Sequence, residues 1–389
     1  MTIDPEPNRG ALPTGAPSGQ TPDAVWPRLF TFAEPASPFF LDCGVALSQV
    51  TIAYETWGQL NERRDNAILI LTGFSADAHA ARHTDAEDET PGWWDTMIGP
   101  GKSFDTDRWY VICSNVLGGC DGSTGPASTD PATGAPYGPA FPPVTIRDMV
   151  RAQRKLVDHL GVASLASIAG ASLGGQQALE WLSTYPELIR SAIPIACSAK
   201  LTAQALAISE VSRAAILADP NFRGGDFYDG EPPARGLAVA RMAAHMTYVS
   251  AESLEMEFGR TRTQTEAALQ RGMNFDVQAH LRGEGQRFAD RFDANTFLTL
   301  SLALEEFDLA HRASSLVAAF SGVRCPVQLI SFTTDWLFPS HQLVQIHEAL
   351  LKNGVDVRHD DVETPFGHDA FLTDWEKIAP IVARFLSRL

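Results

Sequence analysis

The chain has 389 residues, of which 47 are aspartate or glutamate and 30 are lysine or arginine, so its formal net charge is −17 at pH 7. This acidic balance argues against nucleic acid as a main partner, because neutralising phosphates requires clustered lysine and arginine. A membrane-spanning or exported protein is also disfavoured, since no apolar run approaches roughly 18 residues and the acidic, proline-containing start does not resemble a signal peptide.

The first half of the chain contains two regions with different sequence patterns. Residues 1–26 are rich in proline, glycine, threonine and alanine, which predicts a flexible leader. Short apolar strands then alternate with helical patterns, which is typical of a mostly parallel, doubly wound α/β sheet. The predicted strands are 50–54, 67–72, 109–114, 165–169 and 190–196, and the predicted helices are 145–159 and 176–183.

The strand patterns stop between residues 199 and 314 and return after residue 327. The intervening stretch has helical patterns at 201–218, 237–248, 253–258 and 298–307. Strands are predicted again at 327–332 and 355–362, and helices at 341–351 and 375–386. We therefore expect one α/β core made of residues 27–198 and 315–389, with residues 199–314 inserted into it as a helical lid.

The cysteine pattern indicates a reducing compartment. Five cysteines are scattered along the chain, and an odd, dispersed set in a protein of this size does not predict a disulfide framework. Neither a CxxC motif nor a metal-type spacing of cysteine and histidine is found. A cytoplasmic location and no metal site are the resulting expectations.

The segment Gly170-Ala171-Ser172-Leu173-Gly174 matches G-x-S-x-G, the motif of a nucleophile elbow. A predicted strand leads into it and a predicted helix leads out, which is the context that the motif requires. Glycines leave room for the tight turn, and the serine stands at a helix N-terminus, where partial positive charge favours an anion. Ser172 is the predicted nucleophile; the alternative is a glycine-rich turn with an incidental serine.

A serine nucleophile needs a base and an acid, which in this fold follow in the order serine, acid, histidine. His368 fits the base, since it lies in a loop after a strand and just before the last helix. Asp335 follows the strand 327–332, where a carboxylate can orient the imidazole. Three other acids satisfy the order alone, but they belong to the strand that leads into the histidine loop: Asp360, Asp361 and Glu363.

Two backbone N–H groups are expected to hold the oxyanion of the reaction intermediate. One belongs to Leu173, the residue after the serine, and the other comes from the loop after an early strand. In the loop Thr72-Gly73-Phe74-Ser75, we assign the second donor to Phe74.

Several ordered segments give the chain a family resemblance from about residue 50 to the C-terminus. These segments are IAYETWGQLN, PGWWDTMIGPGKSFDTDRW, SNVLGGCDGSTGPASTDPATGAPYG, VTIRDMVRAQ, GASLGGQQALEW, GLAVARMAAHMTY, RFADRFDANTF, SFTTDWLFP and GHDAFL. With them the chain resembles the homoserine O-acetyltransferase family of α/β-hydrolase-fold enzymes, which also includes serine O-acyltransferases and homoserine O-succinyltransferases.

The resemblance implies a function and a set of site residues. Ser172, Asp335 and His368 match the family triad, Arg241 matches the arginine that holds the amino-acid carboxylate, and Asp369 matches the acid that receives the ammonium. The implied reaction is a ping-pong transfer of acetyl from acetyl-CoA to the hydroxyl of L-homoserine through an acyl-serine, as in methionine biosynthesis. The resemblance implies no bound cofactor, because acetyl-CoA or succinyl-CoA is a co-substrate. It also implies that the protein is a homodimer.

Departures from the family pattern leave other functions open. The loop Leu71-Thr72-Gly73-Phe74-Ser75 looks more like the serine-acylating branch, and Gln176 stands where methionine is usual. Leu337 favours acetyl, since succinyl users tend to carry arginine there. The alternatives are a serine O-acyltransferase (acetyl or succinyl, cysteine biosynthesis), a homoserine O-succinyltransferase, a hydrolase of small esters and a non-catalytic binding protein.

Overall fold

The structure is a computed structural model that describes residues 26–83 and 90–389. The predicted flexible leader, residues 1–26, therefore lies outside the described residues except for Trp26. Among the helices of these two ranges, none combines the length and apolar character needed to cross a membrane.

An eight-stranded sheet forms the centre of the molecule. Its strands lie in the order β1-β2-β4-β3-β5-β6-β7-β8, in which the six from β4 to β8 are parallel and β2 is antiparallel to both of its neighbours. The mostly parallel, doubly wound sheet predicted from the sequence is confirmed. The strands are β1 (Arg28–Phe32), β2 (Val50–Trp57), β3 (Ala67–Leu71), β4 (Tyr110–Ser114), β5 (Leu165–Ala171), β6 (Ala192–Ile195), β7 (Val327–Phe332) and β8 (Val357–Val362).

Helices flank the sheet and fill the stretch between β6 and β7. In chain order they are α1 (Ile146–His159), α2 (Leu173–Thr184), α3 (Ala203–Leu217), α4 (Ala234–Tyr248), α5 (Ala251–Glu257), α6 (Glu266–Gln270), α7 (Asp276–Ala289), α8 (Ala294–Glu305), α9 (Leu309–Ala313), α10 (Leu316–Ala319), α11 (Ser340–Lys352), α12 (Ala370–Thr373) and α13 (Trp375–Leu386). Short 3₁₀ turns lie at Gly138–Ala140, Pro186–Leu188, Arg223–Gly225 and Gly367–Asp369.

The central strands are buried on both faces because helices cover both faces. All five residues of β3 are buried, and since side chains alternate along a strand, Leu69 and Leu71 enter one apolar cluster while Ile68 and Ile70 enter the other. Residues of α1, α2 and α11 complete the first cluster, and residues of α13 complete the second. A strand of this kind is a continuous apolar run, which explains why the sequence revealed it.

The predicted helical stretch 199–314 contains α3 to α9, with α4 packed against both α3 and α7. The exact limits of the stretch 199–314, and its role as a lid over the α/β core, stay predictions. Several elements were not predicted from the sequence, namely β1, α7 and the short helices α6, α9, α10 and α12. Strand β1 is an edge strand that pairs with β2 alone and is largely exposed, and α7 contains two glycines among polar residues, so neither has a strong apolar pattern.

Candidate active site

The predicted nucleophile stands at a strained turn between β5 and α2. Ser172 has φ 60° and ψ −125°, a conformation that non-glycine residues rarely adopt, and its N–H donates to the carbonyl of Ile195 at 3.1 Å. The turn needs glycine on both sides. A Cβ on Gly174 would stand 2.1 Å from the carbonyl oxygen of Leu71, and one on Gly170 would stand 2.6 Å from the backbone of Gly174. This close approach fixes the serine at the carboxyl edge of the sheet.

Two backbone segments meet beside Ser172. Leu173 is the first residue of α2, so its N–H is one of the amides that lack a partner within the helix. Phe74 follows β3 and lines the same cavity as Ser172. The side-chain amide of Gln177 donates to the carbonyls of Thr72 (2.9 Å) and Leu173 (3.3 Å), so it links the two segments. The role of Gln177 was not predicted from the sequence, because only the fold shows that its side chain faces the β3 loop.

The predicted base and acid are hydrogen-bonded to each other. His368 Nδ1 lies 2.7 Å from Asp335 Oδ2, and both side chains are buried. The second oxygen of Asp335 accepts hydrogen bonds from the backbone N–H groups of Leu337 and Phe338, each at 2.9 Å. These two amides fix the carboxylate behind β7, and the carboxylate in turn fixes the imidazole in the 3₁₀ turn after β8.

The competing acids are engaged elsewhere. Asp361 Oδ1 accepts hydrogen bonds from the hydroxyls of Ser331 (2.7 Å) and Ser340 (2.6 Å), and Asp360 Oδ2 accepts one from the amide of Gln328 at 2.9 Å. Glu363 is exposed. Of the four acids considered from the sequence, Asp335 is the one that contacts His368.

The environment of His368 favours its protonated form. Burial alone would lower the pKa of this imidazole, but the charge and hydrogen bond of Asp335, together with the charge of Asp369, outweigh burial and raise the pKa above its ordinary value. Within the described part of the chain, the buried Nε2 of His368 has no hydrogen-bond partner. This is the ring atom that a serine hydroxyl would need for proton transfer.

Ser172 opens onto a mostly apolar cavity between the sheet and the inserted helices. The cavity holds about 580 Å³ of empty space, part of it continuous with solvent. His368 lies behind two of its walls, with ring centroids 6.0 Å from Tyr248 and 5.4 Å from Phe338. The lining residues are Phe74, Ser172, Leu201, Ala205, Ile208, Ser209, Ser212, Ala244, Thr247, Tyr248, Phe297, Ser301, Leu304, Leu337 and Phe338.

The two residues expected to hold an amino acid lie near this cavity. Arg241 is a buried residue of α4, and its guanidinium lies between the rings of Tyr248 (5.1 Å) and Phe288 (4.9 Å). Asp369 is half-buried, directly after His368. Tyr248 therefore lies next to both the cation of Arg241 and the imidazole of His368.

A second polar cluster was not predicted from the sequence. Glu55 in β2 and two histidines after the β3 loop, His79 and His83, bring three possible ligand atoms within 4.8 Å of one another. Both histidines precede Ser172 in the chain, so the order serine, acid, histidine does not favour either of them as the base. Their spacing could not reveal the cluster, since the third member lies 24 residues before His79.

Known proteins share both the sequence and the architecture. A family model described as alpha/beta hydrolase fold matches residues 66–374. The chain is 51% identical to a homoserine O-acetyltransferase of Solidesulfovibrio magneticus, over 96% of this chain and 95% of the relative. Its structure is similar to that of homoserine O-acetyltransferase from Bacillus anthracis, with a TM-score of 0.84 and 30% identity over 92% and 97% of the two chains. The structure of esterase E22 has a TM-score of 0.82 and 30% identity over 92% and 99%.

Proposed function

The chain belongs to the homoserine O-acetyltransferase family of α/β-hydrolase-fold proteins, and from this premise we propose that it transfers an acetyl group from acetyl-CoA to the hydroxyl of L-homoserine. The observation that carries the proposal is the serine at a strained turn, facing a cavity behind which a buried histidine is held by a carboxylate.

In the first half of the reaction, Ser172 becomes acetylated. His368 accepts the hydroxyl proton through Nε2, and the serine oxygen attacks the thioester carbon of acetyl-CoA. The negative oxygen of the tetrahedral intermediate is held by the N–H groups of Leu173 and Phe74. The intermediate collapses, the C–S bond breaks, and CoA leaves as a thiol that takes the proton from His368. Asp335 keeps the imidazole oriented and stabilises its charged form.

In the second half, the acetyl group passes to the amino acid. Arg241 binds the carboxylate and Asp369 receives the ammonium, because a zwitterion requires one fixed cation and one fixed anion. His368 then removes the proton of the substrate hydroxyl, whose oxygen attacks the acetyl carbon. The ester bond to Ser172 breaks, and the serine oxygen takes the proton back from His368. The proposed product is O-acetyl-L-homoserine. The position of Arg241 supports this role, since its guanidinium lies over the ring of Tyr248, which lines the cavity.

The lining of the cavity supports acetyl over succinyl. A succinyl group carries a second carboxylate, which is costly to remove from water unless a cation pairs with it. The cavity walls in the described part of the chain contain no lysine, arginine or histidine, and Leu337 occupies the position where succinyl users tend to carry arginine.

Ester hydrolysis is the second candidate, and the similarity to esterase E22 favours it. Both activities share an acyl-serine, and they differ in whether water or an amino acid accepts the acyl group. Transfer requires that water be kept from the acyl-serine. The apolar walls supplied by α3, α4 and α8 support transfer.

The test follows free thiol with acetyl-CoA or succinyl-CoA as donor and L-homoserine, L-serine or no amino acid as acceptor. We expect thiol release that depends on acetyl-CoA and L-homoserine. Ser172→Ala should abolish it, whereas Ser387→Ala, which changes an exposed serine, should leave it unchanged. Thiol release that is independent of any amino acid, together with cleavage of p-nitrophenyl acetate, would identify a hydrolase instead.

We also propose that the protein is a homodimer and that it is located in the cytoplasm. Large apolar side chains are exposed on α3, α4 and α5, which supports association through these helices. Those residues are Leu206, Val211, Leu217, Val239, Met246 and Met256. All five cysteines are free, which supports a reducing compartment. Sedimentation at micromolar concentration should give twice the mass of one chain.

A further inference from the structure

The cluster of Glu55, His79 and His83 is buried and lies outside the cavity lined by Ser172. Glu55 is completely inaccessible to solvent, and the two histidines are 3% and 7% exposed. His79 Nδ1 and His83 Nε2 each lie 2.9 Å from the same oxygen, Glu55 Oε2. The cluster joins strand β2 to the segment that follows the β3 loop.

The hydrogen bonds of His79 limit where its protons can be. Its Nε2 lies 3.0 Å from the carbonyl oxygen of Thr90, and because a carbonyl only accepts, this nitrogen carries a hydrogen. Its Nδ1 faces a carboxylate oxygen, which also only accepts. Either a hydrogen or a metal ion must therefore lie between Nδ1 and Glu55 Oε2. A hydrogen there makes His79 an imidazolium beside a carboxylate, or leaves a neutral imidazole beside a neutral carboxyl group.

The second oxygen of Glu55 favours a metal ion. Oε1 is buried, and no donor among the described residues hydrogen-bonds to it. A proton between His79 and Oε2 leaves Oε1 unsatisfied, which is unfavourable for a buried carboxylate. A metal ion can instead be bound by one or both oxygens of the carboxylate, together with two imidazole nitrogens. We propose that Glu55, His79 and His83 bind a divalent transition-metal ion such as Zn²⁺.

The geometry needs only a small adjustment. Zinc bonds to imidazole nitrogen and carboxylate oxygen of about 2.0–2.2 Å place ligand atoms about 3.3 Å apart in a tetrahedral site. The present N–O separations are 2.9 Å, so the side chains would move apart by a few tenths of an ångström. The contact of His79 Nε2 with Thr90 is the outer hydrogen bond that orients a metal-binding histidine. The His83 ring is held between Trp26 and Trp57, with centroids at 4.1 and 5.1 Å.

The site would stabilise the fold rather than take part in the reaction. The chain that follows His83 leads to Trp94, whose indole N–H donates to the carbonyl of Phe371 at 3.0 Å. The ring of Phe371 lies 5.7 Å from that of His368. A metal ion at Glu55 would thus anchor a segment that supports the back of the histidine loop, without contacting Ser172 or the substrates.

The experiment uses the full chain without a histidine tag, stripped with a chelator and titrated with Zn²⁺ in a calorimeter, with metal content measured after dialysis. We expect one Zn²⁺ per chain and a rise in Tm of about 3 °C at a hundredfold excess over Kd. Replacing Zn²⁺ with Co²⁺ should give a visible spectrum of a site with nitrogen and oxygen ligands.

Two variants and one control locate the site. His83→Gln and Glu55→Gln should each lose the bound ion, whereas His341→Gln, which changes an exposed histidine of α11, should keep it. Circular dichroism verifies that each variant folds. The proposal is overturned if the wild type retains no Zn²⁺ and its Tm is unchanged, or if both folded variants bind Zn²⁺ as the wild type does. Because binding is measured without substrates, this result does not depend on the proposed acetyl transfer.

Discussion

Asp335 and Glu55 are both buried carboxylates that hold a histidine, but they leave different atoms without a partner. One oxygen of Asp335 contacts His368 and the other accepts from two backbone amides, so among the described residues the atom without a partner is His368 Nε2. One oxygen of Glu55 contacts both His79 and His83, and within the same described ranges the atom without a partner is the second oxygen of Glu55. The first arrangement presents a ring nitrogen for proton transfer, and the second presents a carboxylate for a cation.

The two carboxylates also differ in what they do to charge. Asp335 raises the pKa of His368 against the opposing effect of burial. Burial would raise the pKa of Glu55, but the hydrogen bonds and charges of His79 and His83 outweigh it and lower that pKa. A buried histidine–carboxylate contact is therefore not in itself a sign of catalysis. The Asp335 and Glu55 contacts differ in which atom lacks a partner among the described residues, and in whether that atom lies behind a cavity.

The largest effect is expected from Asp335→Asn. Asparagine keeps the shape but offers a donor where His368 Nδ1–H needs an acceptor, which puts the imidazole in the wrong tautomer, so kcat should fall by about 10⁴-fold. The measurement is acetyl-CoA-dependent thiol release with L-homoserine. Glu55→Gln is the matched control, with a kcat close to that of the wild type. Equal losses of kcat in both variants would contradict the claim that Asp335 acts in catalysis and Glu55 does not.

Glu55→Gln should instead affect stability. Removing one partner of a buried charged pair costs about 3–5 kcal/mol of the free energy of unfolding, which corresponds to a fall in Tm of about 4–6 °C for a chain of this length. Differential scanning calorimetry of metal-free protein measures it. Glu257→Gln, which changes an exposed glutamate of α5, is the control. An unchanged Tm would show that the Glu55 cluster does not stabilise the fold.

A smaller effect is expected from Arg241→Ala, which removes a third buried charge. A hydrogen bond to a charged group contributes about 1.5–3 kcal/mol, so KM for L-homoserine should rise by about 10–150-fold while KM for acetyl-CoA changes little. Arg223→Ala, at an exposed arginine paired with Asp229, is the control. An unchanged KM for L-homoserine would remove Arg241 from the acceptor site.

The smallest effect is the pH dependence of the first half-reaction. His368 must be neutral to act as a base, and its raised pKa means that kcat/KM for p-nitrophenyl acetate should fall about tenfold per pH unit below a midpoint above about 6.5. Asp335→Asn should lower that midpoint, because Asp335 raises the pKa, whereas Asp361→Asn should not. A wild-type midpoint below 6.5 would contradict the assigned environment of His368.

The sequence predicted the features that local pattern or chain order can reveal. The apolar runs of β3 and β5, the glycines around Ser172 and the order of Ser172, Asp335 and His368 were sufficient to anticipate the sheet and the buried histidine–aspartate contact. Ser172, Asp335 and His368 each follow the C-terminal end of a strand, β5, β7 and β8 respectively, so the predicted sheet places them at the same edge.

What the sequence could not reveal depends on contacts between distant segments. In the sequence, Gln177 is a polar residue of a predicted helix with no further signal. The packing of α2 against the β3 loop places its side-chain amide within hydrogen-bond distance of the carbonyls of Thr72 and Leu173. In the sequence Glu55 is a polar residue of a strand. Its two histidines follow β3, the next strand along the chain, which β4 separates from β2 in the sheet. Strand β1 is short, lies at the edge of the sheet and is largely exposed, so it lacks the continuous apolar run of the central strands.

The central claim is that Ser172 carries an acetyl group that L-homoserine removes. Intact-protein mass spectrometry after mixing with acetyl-CoA, followed by peptide mapping, tests it directly. The account predicts one acetyl group on Ser172, absent in Ser172→Ala, that disappears on addition of L-homoserine as O-acetyl-L-homoserine forms. An acetyl group that never forms on Ser172, or that is lost equally fast to water without L-homoserine, would contradict it.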